Sequence, residues 1–299
     1  MISRLATKLY ANAYLLLSLT ALFWAGNFVL GRGVHEYIPP IALAWTRWCL
    51  ATLIIVPFAI PHLKRDWPVI RANLPILLFF GIIGVGAFNT LSYTGLNYTT
   101  ALNALVLQSS GPILIVLMSF FIFGDRISPR QALGITCSFT GVLVMVARGD
   151  FSVLASFELN RGDLLLLAAL GLWGLYTAYL RKRPAIHWLS FTATTFLIGA
   201  LINTPFYAWE HLTVRQLHFD TQTLAAIAYV SIFPSVLAYI CFNRGVELIG
   251  ANRAGVCLHL VPLFGAVLAI TLLGEEPRAY HFIGIALILA GVTLAARKG

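Results

Sequence analysis

Apolar residues run along this chain in blocks of about 20, broken by short polar and charged turns. That is the length a helix needs to cross a hydrocarbon core of roughly 30 Å at about 1.5 Å per residue. The blocks are too long and too little alternating to be barrel strands. Lipid offers the backbone no hydrogen-bond partner, so each crossing must satisfy itself as a helix. The pattern predicts ten spans, at about 10–30, 41–60, 73–95, 99–122, 129–147, 163–180, 188–208, 222–243, 251–273 and 279–296. The predicted class is an all-α integral membrane protein with ten transmembrane helices.

The pattern also repeats. Residues 123–134 read FGDRISPRQALG, and residues 273–284 read LGEEPRAYHFIG. Sliding the chain by 150 residues brings Gly95 onto Gly245, Pro112 onto Pro262, Gly124 onto Gly274, Asp125 onto Glu275, Gly134 onto Gly284, Gly141 onto Gly291 and Arg148 onto Lys298. Slightly different offsets bring Trp24 onto Trp173 and Pro57-Phe58 onto Pro205-Phe206. Apolar matches carry little information, whereas each Gly and Pro has a positional backbone meaning. The chain is therefore expected to be two copies of a five-helix unit, over 1–150 and 151–299. Five is odd, so the second copy would enter the membrane from the opposite side. Such inverted-topology repeats are associated with alternating access around a site near the midplane.

Composition agrees with the pattern. Of 299 residues, 59% are hydrophobic and 10% charged, against about 25% charged in soluble domains. The net charge of +9 would suit a nucleic-acid partner, but its distribution reports orientation instead. Of the 20 Lys and Arg, Arg47 lies in a span, Arg32, Arg148, Arg161, Arg215 and Arg278 fall on one side, and the remaining fourteen fall on the other. The positive-inside rule then places both termini in the cytoplasm. The four cysteines, Cys49, Cys137, Cys241 and Cys257, lie within predicted spans without a CxxC or metal-ligand spacing, as packing residues would. Arg4 and Lys8 ahead of an apolar run mimic a signal peptide, but the run is long, holds Trp24 and Asn27, and reads as a retained first helix.

Several stretches together carry a resemblance. ALFWAGNFVLGR in the first span, IPPIALAWTRW entering the second, and the twin endings SSGPILIVLMSFFIFGDRISPRQALG and HLVPLFGAVLAITLLGEEPRAYHFIG are similar to the drug/metabolite transporter superfamily and its EamA-type repeats. Within it, the chain most resembles the YddG-type amino-acid exporters. The resemblance covers nearly the whole chain and implies a basket of helices around a central cavity, with the last helix of each half outside it.

Polar and aromatic residues recur at helical spacing in four spans: Thr20, Trp24 and Asn27; Asn89 and Tyr93; Trp173, Tyr176 and Thr177; and Ser235, Tyr239 and Asn243. Residues three or four apart share a helix face. Aromatic residues in a bundle are more often packing than ligand contacts, but four such stripes facing lipid would be penalised, which points to a shared cavity. Trp67, Trp188 and Trp209 lie near span ends, where they read as interfacial anchors.

Pro112 and Pro262 fall near the middle of the fourth and ninth spans, beside Gln108, Ser109, Ser110 and His259. Each is expected to kink its helix and free a carbonyl, on Gln108 and on Leu258. The kinks either line the substrate path as hinges or are satisfied by neighbouring helices. Arg47 lies about 10 Å inside the second span by helix rise, where an Arg costs about 2.5 to 3.5 kcal/mol. It either meets a substrate carboxylate or polarises the cavity, or else it snorkels outward or gives its five donors to helix carbonyls. Gly124-Asp125 and Gly274-Glu275 are expected to end one helix and, through the acid, begin the next.

No HExxH, GxSxG, Walker or GxGxxG arrangement is present. The chain is therefore expected to be no enzyme and to take no cofactor, metal or nucleic acid. Its expected partners are the lipid bilayer and a small-molecule substrate, and it is expected to work as a monomer in a bacterial inner membrane. One Arg does not neutralise a sugar nucleotide, whereas a small zwitterion fits, with aromatic faces and carbonyls for its ammonium. The expected substrates are amino acids, including apolar and aromatic ones, bound by Trp24, Asn27, Arg47, Asn89, Tyr93, Gln108, Ser109, Trp173, Tyr176, Tyr239, Asn243 and His259. A multidrug or other metabolite efflux carrier, with proton coupling, is the alternative. Every Asp and Glu lies at or beyond a predicted span end, so facilitated uniport is preferred, with His259 the one midspan group able to titrate.

Overall fold

Short polar side chains write the helix starts. The Asn12 carboxamide oxygen accepts from the Leu15 amide at 3.1 Å, and the Ser128 hydroxyl and Gln131 side chain form a reciprocal capping box. Asn160 and Asp163 form a second box, and Asp220 accepts from the Thr223 amide at 2.7 Å, a bond that holds its carboxyl below the usual range. The computed structural model describes residues 10–99, 104, 107–147, 150, 152, 160–273 and 278–296. Among the described residues there is no strand. The helices are α1 Ala13–Gly33, α2 Pro40–Ala72, α3 Leu74–Leu96, α4 Gly111–Phe123, α5 Pro129–Val146, α6 Arg161–Tyr179, α7 Trp188–Thr213, α8 Thr221–Ile249, α9 over 251–273 and α10 Ala279–Ala296.

Five helical stretches among the described residues are long and apolar enough to cross a membrane: Pro40–Ala72, Leu74–Leu96, Arg161–Lys182, Trp188–Thr213 and Thr221–Ile249. Ala13–Asn27, Gly111–Phe123 and Ala279–Ala295 are shorter apolar helices. The second span was expected to stop near residue 60, but α2 continues to Ala72 through Pro57, Pro61 and Pro68. At 33 residues it is about 50 Å long, well beyond the hydrocarbon. Apolar patterning marks only the stretch suited to lipid, and the helix continues beyond it through Lys64, Arg65 and Asp66.

The fourth span differs from the expected kinked helix. Residues 109 and 110 form a turn, and Pro112 sits in the first turn of α4, where its missing N–H has no intrahelical partner to lose. A 3₁₀ turn at Cys257–His259 interrupts α9 in the matching place, just ahead of Pro262. Both spans are broken rather than bent. At the far end of α4, Gly124 takes φ 70°, and its amide closes on the Phe120 carbonyl at 2.8 Å, a left-handed cap that favours glycine. Asp125 does not start the next helix as expected: Ser128 caps α5, and Asp125 instead takes both guanidinium nitrogens of Arg181. The corresponding Gly274-Glu275 lies outside the described residues.

Two π-helical turns occupy matching places, Phe80–Ala87 in α3 and Ile232–Leu237 in α8. Such turns leave backbone carbonyls open to other donors and are frequent at functional sites. Further, positions related by the 150-residue shift touch each other. The Asn89 amide reaches the Tyr239 hydroxyl at 3.3 Å, the His259 ring reaches the Ser109 carbonyl at 3.0 Å, and the Cys137 thiol reaches the Leu287 carbonyl at 3.4 Å. Trp24 meets Trp173 edge to face, with centroids 5.0 Å apart.

Helices α5 and α10 pack on each other through four glycines. A Cβ on Gly134 would lie 2.6 Å from the Gly291 carbonyl oxygen, and one on Gly141 would lie 2.8 Å from that of Gly284. The pairing is crossed, early with late, so the two helices run antiparallel.

Three carboxylates expected at or beyond span ends are buried: Asp66 at 7% exposure, Glu210 at 4% and Asp163 at 0%. Each is committed to a helix start. Glu210 near the end of α7 accepts from the Ile41 and Ala42 amides of α2 at 3.1 and 2.7 Å. Asp66 near the end of α2 accepts from the His187 amide and Ser190 hydroxyl of α7, both at 2.8 Å. Asp163 accepts from Asn160 N–H at 3.0 Å and from the Thr99 hydroxyl. So α2 and α7 cap each other's N-termini reciprocally, one latch at each end of the pair. Glu210→Gln, which removes the charge and one acceptor, is expected to cost about 0.5–2 kcal/mol, the usual range for a lost cap. A thermal melt in detergent that matches the wild type would show that the α2 terminus is held by other groups.

Candidate functional site

Arg47 organises the middle of the bundle. It is 1% exposed, and its Nε donates to Ser235 Oγ at 2.5 Å. Nη1 donates to Asn89 Oδ1 at 2.8 Å and Tyr93 Oη at 2.7 Å, with Asn27 Oδ1 at 3.3 Å, and Nη2 donates to the Pro234 carbonyl at 3.0 Å. The guanidinium carbon also stands 4.6 Å from the centre of the Trp48 ring. Every one of these partners is neutral, and among the described residues no carboxylate pairs with Arg47. Among the described residues, then, the guanidinium is held by dipoles and an aromatic face.

The two π-helical turns supply acceptors that regular helices would have used up. The Pro234 carbonyl takes Arg47 Nη2 and also Trp24 Nε1 at 3.0 Å, while the Gly84 carbonyl takes the Tyr239 hydroxyl at 2.6 Å. Gly84 and Pro234 are related by the same 150-residue shift. In α8 the proline explains the break, since it has no N–H for the preceding turn.

Around this centre lies a small cavity of about 20 Å³, room for about one water. Its lining includes Trp24, Asn27, Arg47, Asn89, Tyr93, Gln108, Trp173 and Tyr239, eight of the twelve residues expected to bind substrate. Phe88, Ser92 and Leu96 complete it. These three share the α3 face of Asn89 and Tyr93; Phe88 and Leu96, being apolar, read as core. The lining comes from α1, α2, α3, α6 and α8 and from Gln108 ahead of α4. None comes from α5 or α10.

The other four expected site residues lie elsewhere. Tyr176 stacks on Trp173 at 5.0 Å between centroids, and its hydroxyl donates to Asn243 Oδ1 at 2.8 Å. Asn243 and Thr177 face a separate vestibule of about 590 Å³, which opens among Arg181, Arg183 and Glu247. Ser109 and His259 meet each other, and His259 also reaches α5. His259 Nδ1 is 2.6 Å from Ser138 Oγ, and its Nε2 is 3.0 Å from the Ser109 carbonyl. The carbonyl only accepts, so Nε2 carries the proton and in the neutral ring Nδ1 accepts from Ser138. Both nitrogens are occupied away from the cavity. At the end opposite the vestibule, Val34, Ile38, Leu96, Leu107 and Leu166 pack into an apolar cluster that includes Tyr93.

Residues 11–147 and 160–297 each match the EamA-like transporter family. The chain belongs to this family. It is 30% identical over 298 residues to an uncharacterized transporter of Archaeoglobus fulgidus, covering 96% of this chain and 98% of that one. It is 27% identical over 294 residues to the uncharacterized transporter YyaM of Bacillus subtilis, covering 96% and 94%. A probable amino-acid metabolite efflux pump of Salmonella typhimurium is 26% identical over 292 residues, covering 92% and 91%. A crystal structure with a TM-score of 0.77 and 20% identity covers 95% of this chain and 96% of its own, a likeness of fold.

Membership makes the chain an integral membrane transporter, and the duplicated family match agrees with a two-repeat architecture. The polar stripes therefore belong to a membrane transporter, in which ionisable side chains buried among the helices are candidates for the functional site.

Proposed function

We propose that this EamA-family transporter exports amino acids, including apolar and aromatic ones, by alternating access, with Arg47 as the carboxylate-binding group. The observation that carries the reading is the buried Arg47, whose partners are all neutral and which faces a cavity walled by Trp24, Trp173, Tyr93 and Tyr239. Arg has five N–H donors, and its neutral neighbours leave the charge itself uncompensated. A substrate carboxylate would compensate it, and the aromatic faces would take the ammonium or an apolar side chain. The probable amino-acid metabolite efflux pump of Salmonella typhimurium, at 26% identity, is consistent with this substrate class.

The architecture proposed is ten membrane helices in two inverted five-helix repeats, over 1–150 and 151–299, with both termini cytoplasmic in a bacterial inner membrane. The antiparallel α5–α10 crossing supports it: when Gly134 meets Gly291 and Gly141 meets Gly284, the shift by 150 exchanges the two contacts, as a two-fold axis requires. Contacts between counterparts such as Asn89 and Tyr239 support the same axis through the cavity. With the basic end inside, the vestibule opens to the cytoplasm and the apolar cluster closes the other side.

Facilitated uniport is the proposed mode, because the buried carboxylates serve as caps and His259 is occupied on both nitrogens. In proteoliposomes loaded with one unlabelled amino acid, counterflow of the same labelled amino acid is expected for at least some of the twenty, without an ion gradient. No exchange with any of them overturns the reading, and uphill accumulation driven by an imposed pH gradient would replace uniport by proton coupling.

A further inference from the structure

We propose that the vestibule at the basic end is a second binding site, taking an amino-acid zwitterion before it reaches the central cavity. The inference rests on the amino-acid reading above. It starts from an orphaned group: Thr177 is 0% exposed, its hydroxyl has no hydrogen-bond partner among the described residues, and it lines the vestibule. A buried hydroxyl without a partner is uncommon and calls for an occupant. Beside it stands Asn243, also buried, whose Oδ1 is engaged by Tyr176. Thr177 and Asn243 form the deep end, because Arg181 on one helix and Gly250 on the other lie about 6 and 10 Å further toward the basic end by helix rise.

The mouth carries both signs of charge. Arg183 Nη2 and Glu247 Oε2 stand 3.5 Å apart, longer than the roughly 2.7–2.9 Å of a charge-assisted hydrogen bond. Glu247 is held more closely, at 3.0 Å, by Arg244 Nη1. A zwitterion inserted at this slack pair would give its carboxylate to Arg183 and its ammonium to Glu247, with the Thr177 hydroxyl within the same enclosure. Leu180 and Val246 line the space as well and offer apolar contact to the side chain. At about 590 Å³ the vestibule has the size of a small-molecule site, about 300–1,000 Å³, whereas the central cavity is collapsed to about 20 Å³. Tyr176 separates the two: its hydroxyl bonds Asn243 on the vestibule side, and its ring stacks on Trp173 of the cavity wall. Passage inward requires that bond to open, so occupancy of Asn243 by a ligand would compete with the closed position of Tyr176.

Saturation binding of radiolabelled L-phenylalanine to the full chain in lipid nanodiscs tests this. The wild type is expected to bind two per chain. Thr177→Val and Glu247→Gln are each expected to leave one, and Arg47→Met is expected to leave the other. At the site that survives in Arg47→Met, 3-phenylpropionate and phenethylamine, each lacking one charge, are expected to compete at least tenfold more weakly than phenylalanine. Thr177→Val removes a hydroxyl with no partner and is expected to melt no lower than the wild type, which separates lost binding from lost folding. A single site abolished by Arg47→Met and untouched by Thr177→Val and Glu247→Gln sinks the vestibular site and leaves the central one standing. No phenylalanine binding by the wild type sinks both.

Discussion

Arg47→Met is expected to leave the protein folded, with a melting temperature equal to or above that of the wild type, while amino-acid counterflow falls at least tenfold. Loss of transport follows from the proposed role, since tenfold in affinity is only about 1.4 kcal/mol and a charge-assisted hydrogen bond is worth about 1.5–3 kcal/mol. The stability half is decided by what the guanidinium leaves behind. Pro234 O keeps Trp24 Nε1, Asn27 Oδ1 keeps the Tyr93 hydroxyl, and Ser235 Oγ keeps its own bond to the Val230 carbonyl at 2.6 Å. Only Asn89 Oδ1 loses its hydrogen-bond partner, a cost of about 1–3 kcal/mol for an unsatisfied buried group. Against it stands the relief of burying an uncompensated charge, several kcal/mol per ion. The double variant Arg47→Met/Asn89→Leu removes the orphan too and is expected to melt higher still. If Arg47→Met unfolds the protein or lowers its melting point sharply, Arg47 is a structural hub, and the case for a carboxylate site loses its support. Such a stability gain paired with lost function is the signature of a site kept strained for its task.

Gly291→Val is expected to be the most destabilising single substitution on the face between α5 and α10. A Cβ on Gly291 would stand 2.5 Å from the Gly134 carbonyl oxygen and 2.5 Å from the Ser138 amide nitrogen. Both are backbone atoms, so no side chain can rotate away and the two helices must separate. Overpacking of this kind costs about 1–3 kcal/mol and occasionally more. Helices in lipid associate by close packing of small residues rather than by the hydrophobic effect, so lost proximity has no substitute driving force. Gly134→Val, related by the crossed pairing, is expected to behave alike, with a Cβ 2.6 Å from the Gly291 oxygen. By contrast Gly171→Val, where a Cβ meets nothing within 4 Å, is expected to fold normally. Equal melting of Gly291→Val and Gly171→Val in the same detergent would show that the crossing is looser than described.

The central site was legible in part, and the reason differs by residue. Trp24, Asn27, Arg47, Asn89, Tyr93, Gln108, Trp173 and Tyr239 could be picked from the chain because polar and aromatic side chains in a lipid-spanning run are costly unless they face one another. Phe88 and Leu96 carry no polar atom and were invisible among the apolar positions. Trp48, which lies under the Arg47 guanidinium, stood outside the four stripes, which fall in other spans. Ser109 and His259 have the polarity of site residues, but the His259 ring is engaged by the Ser109 carbonyl and by Ser138 of α5, and nothing local distinguishes a polar group that faces a cavity from one that ties helices together. Hydropathy alone places Asp66, Glu210 and Asp163 at or beyond span ends. Their burial follows from reach across to a neighbouring helix start, which no local window contains.

What the chain alone determined is the membrane-helix class, the 150-residue internal repeat and the set of polar positions a cavity would use. These depend on one-dimensional quantities: the length of apolar runs, the spacing of Gly and Pro, and the price of polar groups in lipid. Only the tertiary structure decided that Arg47 meets no carboxylate among the described residues, that two π-helical turns present the Gly84 and Pro234 carbonyls to neighbouring side chains, and that Tyr176 lies between a closed cavity and an open vestibule. Those outcomes depend on distances between helices remote in sequence, and a hydrogen bond or an ion pair exists only where such distances fall within a few ångströms.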